Sequence, residues 1–298
     1  MSPIRFDIII SAGRGRSPLV REGLPKRKLY AVTADGGRPG DNQDGFLLGA
    51  GTRQKIVVLG VGDGMGGHSN GAIACDLGLE GLEQKIKALR SKKIPAQTPL
   101  PGYFDFIDGR LRTFNQRVQP RTLVENAGTA MACLICYLDQ GVGYAGSWGD
   151  VAVVQTTPGG TISLLMPFNS QANTAWHETN QLKMGQAFPL TCEPGQQFSV
   201  LKDYYNSIKS HPLRSKLSCF IGNNFGLNIP FWKPFFQTLL FQPGDRFYLF
   251  SDGLLDAVEF EVFAGILRAD LPLPETLDAL LAASSQSSDN VTVGGVEV

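Results

Sequence analysis

The chain has no excess charge of either sign and no long apolar run. Its 27 lysines and arginines balance 27 aspartates and glutamates, so no overall field favours binding to nucleic acid or to an anionic membrane. No segment approaches the roughly 20 consecutive apolar residues that a membrane helix needs. The run Ile8–Ile10 is too short for the hydrophobic part of a secretory signal. These absences lead us to expect a cytoplasmic protein.

Cysteine is also scarce, and its odd count of five in 298 residues favours reduced thiols over a disulfide framework. Cys133 and Cys136 have the C-x-x-C spacing of some zinc sites. They lie in an apolar segment that predicts a strand, where residues three apart point to opposite faces. No second cysteine or histidine pair completes a zinc site. We therefore interpret both as strand residues.

The remaining composition is that of one globular domain. An apolar fraction of 43% leaves room for a sizeable core. Basic residues concentrate at the start of the chain, and we interpret residues 1–28 as a solvated basic extension ahead of a single domain over 29–298. The clustered basic residues of this extension are Arg14, Arg16, Arg21, Lys26, Arg27 and Lys28.

Hydrophobic periodicity predicts a mixture of strands and helices. Short β-branched runs predict strands near residues 29–33, 55–61, 129–138, 142–147, 151–156, 161–166, 246–250 and 290–298. Helical spacing of apolar residues predicts helices near 70–90, 104–118, 260–269 and 275–284. Residues 167–235 show little periodicity. Because hairpins early and late enclose pairs of helices, we expect one α+β domain of stacked layers.

Four aspartates occur at the ends of predicted core strands. Asp63 and Asp252 directly follow buried strands, Asp289 directly precedes one, and Asp44 stands just before the apolar Phe46–Leu48. Any one of them could be a turn residue. Four converging carboxylates would repel each other unless cations neutralised them. Oxygen ligands predict Mg²⁺ or Mn²⁺ rather than zinc or copper, and two such ions can bridge a water and clamp a phosphoryl group.

Six segments resemble, in the same order, the sequence blocks of the metal-dependent protein phosphatases (the PPM or type 2C family). The segments are Asn42–Asp44, Val61–His68, Asn126–Ala130, Ala145–Asp150, Phe241–Leu254 and Ser288–Thr292. The resemblance extends from about residue 29 to the C-terminus. Six blocks in order are far more specific than any one of them.

The resemblance implies a fold and an activity. The fold would be a four-layer αββα sandwich, with two antiparallel sheets between helix pairs. The activity would be hydrolysis of phosphoserine and phosphothreonine in proteins, so the expected partner is a phosphoprotein substrate, for example a Ser/Thr kinase or its targets. We expect a monomer. Residues 167–216 would contain the variable flap of the family.

The resemblance also implies the metal ligands. Asp63 would bridge two tightly bound ions, with the Gly64 carbonyl as a ligand of one of them. Asp252 and Asp289 would complete one metal site. Asp44 would hold the other ion, directly or through water.

Three further residues match positions with a role in the family. Asp150 matches a position that helps to hold a third, weaker metal ion. Arg38 is the candidate for gripping the substrate phosphate with two hydrogen bonds, and Arg53 or an arginine of the basic extension is an alternative. His68 is the candidate general acid for the leaving seryl or threonyl oxygen.

Three other interpretations were weighed. The segment Gly62–Gly67 fits a dinucleotide-binding fingerprint, but Asp63 inside its turn would repel a pyrophosphate and no second strand ends in an acid about 20 residues on. An inactive pseudophosphatase that binds phosphoproteins remains an alternative, although such proteins usually lose metal carboxylates. A phosphatase of small phosphoesters or of a regulatory-domain phosphoserine would differ only in substrate.

Overall fold

The structure is a computed structural model of the chain. It describes residues 4–12, 19–36, 42–52, 55–65, 70–89, 95, 97–118, 126–168, 170–180, 188–196, 199–214, 217, 220–222 and 234–298. Within these ranges the chain forms thirteen strands and seven α-helices.

The strands and helices follow one another in chain order. The strands are β1 (Phe6–Ala12), β2 (Leu19–Leu24), β3 (Leu29–Ala34), β4 (Asp44–Gly51), β5 (Ile56–Met65), β6 (Gly128–Tyr137), β7 (Val142–Trp148), β8 (Ala152–Thr156), β9 (Ile162–Met166), β10 (Leu190–Cys192), β11 (Phe235–Leu240), β12 (Arg246–Phe250) and β13 (Val291–Glu297). The helices are α1 (Asn70–Lys87), α2 (Leu100–Val118), α3 (Gln171–Thr179), α4 (Val200–Ser210), α5 (Asp252–Ala257), α6 (Phe260–Arg268) and α7 (Leu273–Ala283). Among the described helices, none is long and apolar enough to cross a bilayer.

The strands form two antiparallel sheets that pack face to face. The first sheet has the strand order β1–β4–β5–β6–β7–β11, and the second has the order β10–β9–β8–β12–β13–β3–β2. One apolar layer fills the space between the sheets. A second layer lies between the first sheet and the helices α1 and α2, and a third covers the second sheet with the helices α3 to α7. The predicted αββα sandwich is therefore confirmed.

The pleat of the central strands explains their continuous apolar runs. In β5, Leu59 faces the other sheet whereas Val58 faces the helices, so both faces of the strand are buried. The same alternation separates Cys136, in the layer between the sheets, from Cys133, under the helices. Both thiols are free and buried, and burial raises the pKa of each. The strand interpretation of the C-x-x-C pair is confirmed.

The interpretation of the first 28 residues as a solvated arm needs correction. The strand β1 pairs with β4 at the edge of the first sheet, and β2 pairs with β3 at the edge of the second. The chain therefore contributes one strand to each sheet before residue 29. Sequence periodicity missed both because an edge strand is half exposed and has a weak apolar pattern.

The weakly periodic stretch 167–235 also contains regular elements, namely α3, β10, α4 and the start of β11. An aromatic cluster joins the two helices, with the rings of Trp176 and Tyr204 in edge-to-face contact at 4.9 Å between centroids. Ser199 caps α4 by accepting a hydrogen bond from the backbone N–H of Lys202. These short elements depend on tertiary contacts more than on local periodicity.

Candidate active site

The two aspartates of the first sheet lie opposite each other on one face. Asp44 and Asp63 are direct partners in the pairing of β4 with β5, and opposite residues of an antiparallel pair point to the same side. Asp44 lies two residues before Phe46 on β4, and side chains two residues apart on a strand point to the same face. Asp63 lies two residues after Val61 on β5. Phe46 and Val61 both lie between the sheets. Both carboxylates therefore continue the inner layer at the point where its apolar residues end.

Strand ends of the second sheet reach the same place. Asp252 is the first residue of α5, directly after β12, and Asp289 stands two residues before β13. The packing of α5 against the start of β13 requires a glycine. A Cβ atom at Gly253 would lie 2.0 Å from the carbonyl oxygen of Asn290, so the helix that carries Asp252 approaches β13 as closely as a backbone can.

A buried chain of hydrogen bonds holds Asp44. The hydroxyl of Ser251 donates to Asp44 Oδ2 at 2.6 Å, and it accepts from the backbone N–H of Thr292 at 3.0 Å. Thr292 in turn donates to Thr33 Oγ1 at 2.6 Å. All four side chains are buried. The second sheet therefore positions a carboxylate that belongs to the first sheet.

Two asparagines complete the same support. Asn42 accepts a hydrogen bond from the backbone N–H of Asp44 at 2.9 Å and donates to Thr33 Oγ1 at 2.9 Å. Asn290 accepts from the backbone N–H of Gln43 at 2.9 Å and donates to the Asp35 carbonyl at 2.9 Å. The buried side chains of Asn42 and Asn290 thus connect the start of β4 to the end of β3.

Gly64 lies in a crowded backbone contact beside Asp63. A Cβ atom at Gly64 would lie 2.0 Å from the carbonyl oxygen of Gly71, and one at Gly71 would lie 2.7 Å from the Gly64 carbonyl oxygen. The start of α1 therefore packs directly on the end of β5. This contact brings the Gly64 carbonyl, one of the expected metal ligands, to the same end of the sandwich as the carboxylates.

Asp150 joins the group from the turn between β7 and β8. The turn passes through Gly149 with φ of 104°, a conformation that favours glycine, and the Ser147 hydroxyl closes it by donating to the Val151 carbonyl at 2.7 Å. Asp150 is buried. Its Oδ1 atom accepts no hydrogen bond from any described residue, and such a buried oxygen without a partner is costly.

The electrostatics of these residues show that they form one group. Burial raises the pKa of Asp44 to about 7. The hydrogen bond from Ser251 lowers this pKa in part, and the charge of Asp289 raises it further. Burial raises the pKa of Asp63 well above its usual value, and the charges of Asp44, Asp252 and Asp150 add to the rise. Each carboxylate therefore disfavours ionisation of the others.

The other two shifts follow the same pattern. Burial raises the pKa of Asp150 to about 7, assisted by the charges of Asp44, Asp289 and Asp256. Burial also raises the pKa of Asp252 well above its usual value, and Asp150 is the strongest charged neighbour that adds to this rise. The structure thus places the five predicted acidic residues within electrostatic reach of one another.

The donor set fits divalent metal ions that prefer oxygen. It offers several carboxylates, a buried carboxylate oxygen without a described partner at Asp150, and a neighbouring backbone carbonyl. Across the described ranges, no three histidine, cysteine or acidic side chains already converge as a closed metal-binding group. The carboxylates are close enough to raise each other's pKa, but in the described ranges no three of them are arranged as the ligands of one ion.

The two predicted residues that would act on the substrate, Arg38 and His68, lie outside the described residues, as does the alternative Arg53. Two described arginines of the N-terminal segment have other partners. Arg21 pairs with Asp278 of α7 at 2.5 Å, and Arg27 donates to the carbonyl of Gly51 at 2.9 Å.

Sequence reasoning missed Asp256 and Arg214. Asp256 lies one helical turn after Asp252 on α5, and its charge acts on both Asp150 and Asp252. The i, i+4 spacing from Asp252 was a signal that could have found it. Arg214 contacts Asp256 through Nε at 2.6 Å. No local sequence signal connects Arg214 to the site, because 42 residues separate the pair.

Comparison with known proteins agrees with this architecture. No family model matches the sequence, and no curated protein matches it either. Solved structures do match. The Mycobacterium tuberculosis serine/threonine phosphatase PstP/Ppp is 20% identical, with 94% of this chain and 98% of that chain covered and a TM-score of 0.66.

Two other matches are similar in extent. The PPM Ser-Thr phosphatase MsPP from Mycobacterium smegmatis, in complex with cacodylate, is 20% identical over 90% of this chain and 97% of that chain, with a TM-score of 0.63. The catalytic domain of PstP in complex with two manganese ions is 18% identical over 94% and 98%, with a TM-score of 0.63. The chain therefore has the fold of the PPM-type serine/threonine phosphatases.

Proposed function

We propose that the protein hydrolyses phosphoserine and phosphothreonine in protein substrates and that it requires Mg²⁺ or Mn²⁺. The observation that carries this proposal is the group of aspartates at one end of the space between the sheets, on a fold shared with phosphatases, one of which binds two manganese ions. Their mutual repulsion provides a reason to bind cations. The six family-like sequence blocks support the same reaction.

The ligand roles follow from the sequence resemblance and are compatible with the geometry. Asp63 would contact both tightly bound ions, with Asp252 and Asp289 on one and Asp44 on the other. The carbonyl of Gly64 would add a ligand. When bound, such ions supply an activated water nucleophile and neutralise the charge of a phosphoryl group. The protein itself holds Asp44 through Ser251, and it buries the side chains of Asp44 and Asp150.

A third and weaker ion would lie on the side of Asp150. This carboxylate faces the charges of Asp252 and Asp256 across the end of α5. We assign residues 167–216, which include α3 and α4, to a flap-like insertion beside this position. Arg38 is proposed to hold the substrate phosphate.

His68 is proposed as the proton donor to the leaving oxygen. An alkoxide leaving group needs a proton in the transition state, whereas p-nitrophenolate leaves without one. The change His68→Ala should slow phosphopeptide hydrolysis by roughly 10²–10⁴-fold and affect p-nitrophenyl phosphate much less. Equal losses on both substrates would instead assign His68 a structural role.

The decisive experiment compares phosphopeptide and p-nitrophenyl phosphate turnover by the purified protein with Mn²⁺, with Mg²⁺ and with a chelator. We expect turnover of phosphoserine and phosphothreonine peptides that the chelator abolishes and added metal restores. Undiminished turnover in excess chelator would rule out the metal mechanism. Tight binding of the phosphopeptide without hydrolysis would identify a pseudophosphatase.

A further inference from the structure

The turn that follows α4 carries a positive charge, that of Arg214, to the group of aspartates. Arg214 Nε contacts Asp256 Oδ1 at 2.6 Å, and Nη2 contacts Oδ2 at 3.4 Å. The guanidinium therefore directs two N–H groups, those of Nε and Nη2, at the carboxylate. Its charge also acts on Asp252. Asp256 in turn acts on Asp150, so Arg214 contacts one acidic residue of the proposed weak site, and that residue lies within electrostatic reach of the other two.

The position of Arg214 is built by the fold. Tyr205 and Lys209, one turn apart on α4, both donate to the Val258 carbonyl at the end of α5, at 2.9 and 3.0 Å. The turn that follows α4 is closed by hydrogen bonds to His211, from the backbone N–H of Arg214 at 3.1 Å and from that of Leu213 at 3.1 Å. The contacts of α4 with Val258 and the closed turn after α4 thus position the guanidinium beside Asp256.

The ion pair of Arg214 with Asp256 is partly exposed to solvent. The side chain of Asp256 is 15% exposed and that of Arg214 is 38% exposed. An ion pair that is partly in solvent is weak, because water screens it and the free arginine is well solvated. A divalent ion that contacted Asp256 would place two positive charges where the guanidinium now contributes one. The two cations would repel each other at this short range and would compete for the same carboxylate oxygens.

We propose that Arg214 is an internal competitor for the weak metal position, so that a divalent ion binds at Asp150, Asp252 and Asp256 only as Arg214 leaves Asp256. This inference rests on the proposed metal-dependent function. Arg214 is a positioning residue in this role. It keeps Asp256 neutralised while the weak position holds no ion, and it links occupancy of that position to the turn that follows α4.

The first test measures Mn²⁺ binding by calorimetry and by electron paramagnetic resonance of free Mn²⁺, in the wild-type protein and in Arg214→Gln. We expect the weak site to tighten roughly two- to fivefold in the variant, which is the effect of removing a competing ion pair that is partly exposed. The tight sites should keep their affinity. Arg21→Gln, which removes the exposed pair with Asp278 on α7, is the matched control and should change neither class of site.

A double-mutant cycle shows whether the effect acts through Asp256. Asp256→Asn should weaken the third ion, and Arg214→Gln should give no further gain in that background. A gain that persists in Asp256→Asn, or an unchanged or weaker third ion in Arg214→Gln, would overturn the proposal. A rise in KM for phosphopeptide with unaltered metal affinity would also overturn it, since Arg214 would then be a phosphate-binding residue.

The wild-type protein offers a test that does not depend on a variant. The ¹⁵N resonance of Arg214 Nε should shift over the Mg²⁺ concentrations that fill the weak site, while that of Arg21 stays in place. A resonance that is constant through this range contradicts the exchange. If the wild-type protein binds no divalent ion at all, the proposed function itself fails. If ions bind and the Arg214 variant and resonance do not respond, only the present inference fails.

Discussion

The two parts of the space between the sheets share one geometry and differ in chemistry. Along the strands, Leu48, Leu59 and Leu249 occupy inward positions and are almost completely buried among apolar neighbours. At the end of the same strands, the inward positions hold Asp44, Asp63 and their polar supports. The pleat alone decides that these side chains point inward, and it does so equally for leucine and for aspartate.

The energetic consequences of the two parts are opposite. Burial of a leucine side chain stabilises the fold by roughly 1.5–3 kcal/mol. Burial of a carboxylate beside others costs free energy and raises its pKa, as found for Asp44 and Asp150. The apolar part therefore stabilises the sandwich, whereas the acidic end, the proposed cation site, reduces its stability. Four experiments test the contrast between the two parts.

The largest expected effect is that of Asp63→Asn. Loss of the proposed bridging carboxylate should lower turnover by roughly a thousandfold or more. The same change should raise the unfolding free energy of the metal-free protein near neutral pH, because it removes a charge from a repelling group. Steady-state kinetics and urea unfolding measure the two quantities. Asp278→Asn, at an exposed site on α7, is the control. A variant that lost both activity and stability would contradict the comparison.

The apolar part should respond in the reverse way. Leu249→Ala removes a completely buried side chain from β12 and should cost roughly 2–5 kcal/mol of unfolding free energy. Turnover per folded molecule should stay close to that of the wild type well below the melting temperature. If turnover fell by more than about tenfold while the protein stayed folded, the two parts would not be separable.

The pH dependence of stability should also reveal the acidic end. Because burial holds the pKa of Asp44 and Asp150 at about 7 rather than 3.8, the folded metal-free protein binds protons more tightly than the unfolded chain. Its unfolding free energy should therefore be greatest at and below about pH 4 as far as these groups are concerned, and each group should lower it by roughly 3 kcal/mol as pH rises to about 7. Saturating Mg²⁺ should reduce this fall. Denaturant unfolding at several pH values, with and without Mg²⁺, measures it, and a rise across this range without metal would contradict it.

The smallest effect is expected at the hydrogen bonds that join the two parts. Ser251→Ala removes the donor to Asp44 and the acceptor of the Thr292 N–H. Stability should fall by about 1–3 kcal/mol, and metal affinity by roughly 10–100-fold, as for other residues that orient a ligand. Ser284→Ala, a buried hydroxyl that donates to the Leu281 carbonyl at 2.8 Å, is the control and should leave metal affinity unchanged. Equal metal affinities in the two variants would show that Ser251 does not position Asp44.

Much of the sandwich could be predicted from local patterns. The strand at residues 246–250 agrees with β12, and the helix near 70–90 agrees with α1, because each has a strong apolar period. The edge strands β1 and β2 could not be predicted in this way, since half of each is exposed and the pairing partner supplies the stabilisation. The same applies to α3 and α4, which depend on an aromatic cluster that is assembled from distant residues.

The amino-acid sequence by itself determined that Asp44, Asp63, Asp252 and Asp289 stand at strand ends, since periodicity and chain order are local properties. Only the tertiary structure decided that Asp44 and Asp63 face each other, because register is a property of paired strands. It also decided that Ser251 and Thr292 hold Asp44 from the other sheet and that Arg214 contacts Asp256. These contacts join residues 41 to 207 positions apart, and at such separations only the packing of the folded layers brings side chains within hydrogen-bonding distance.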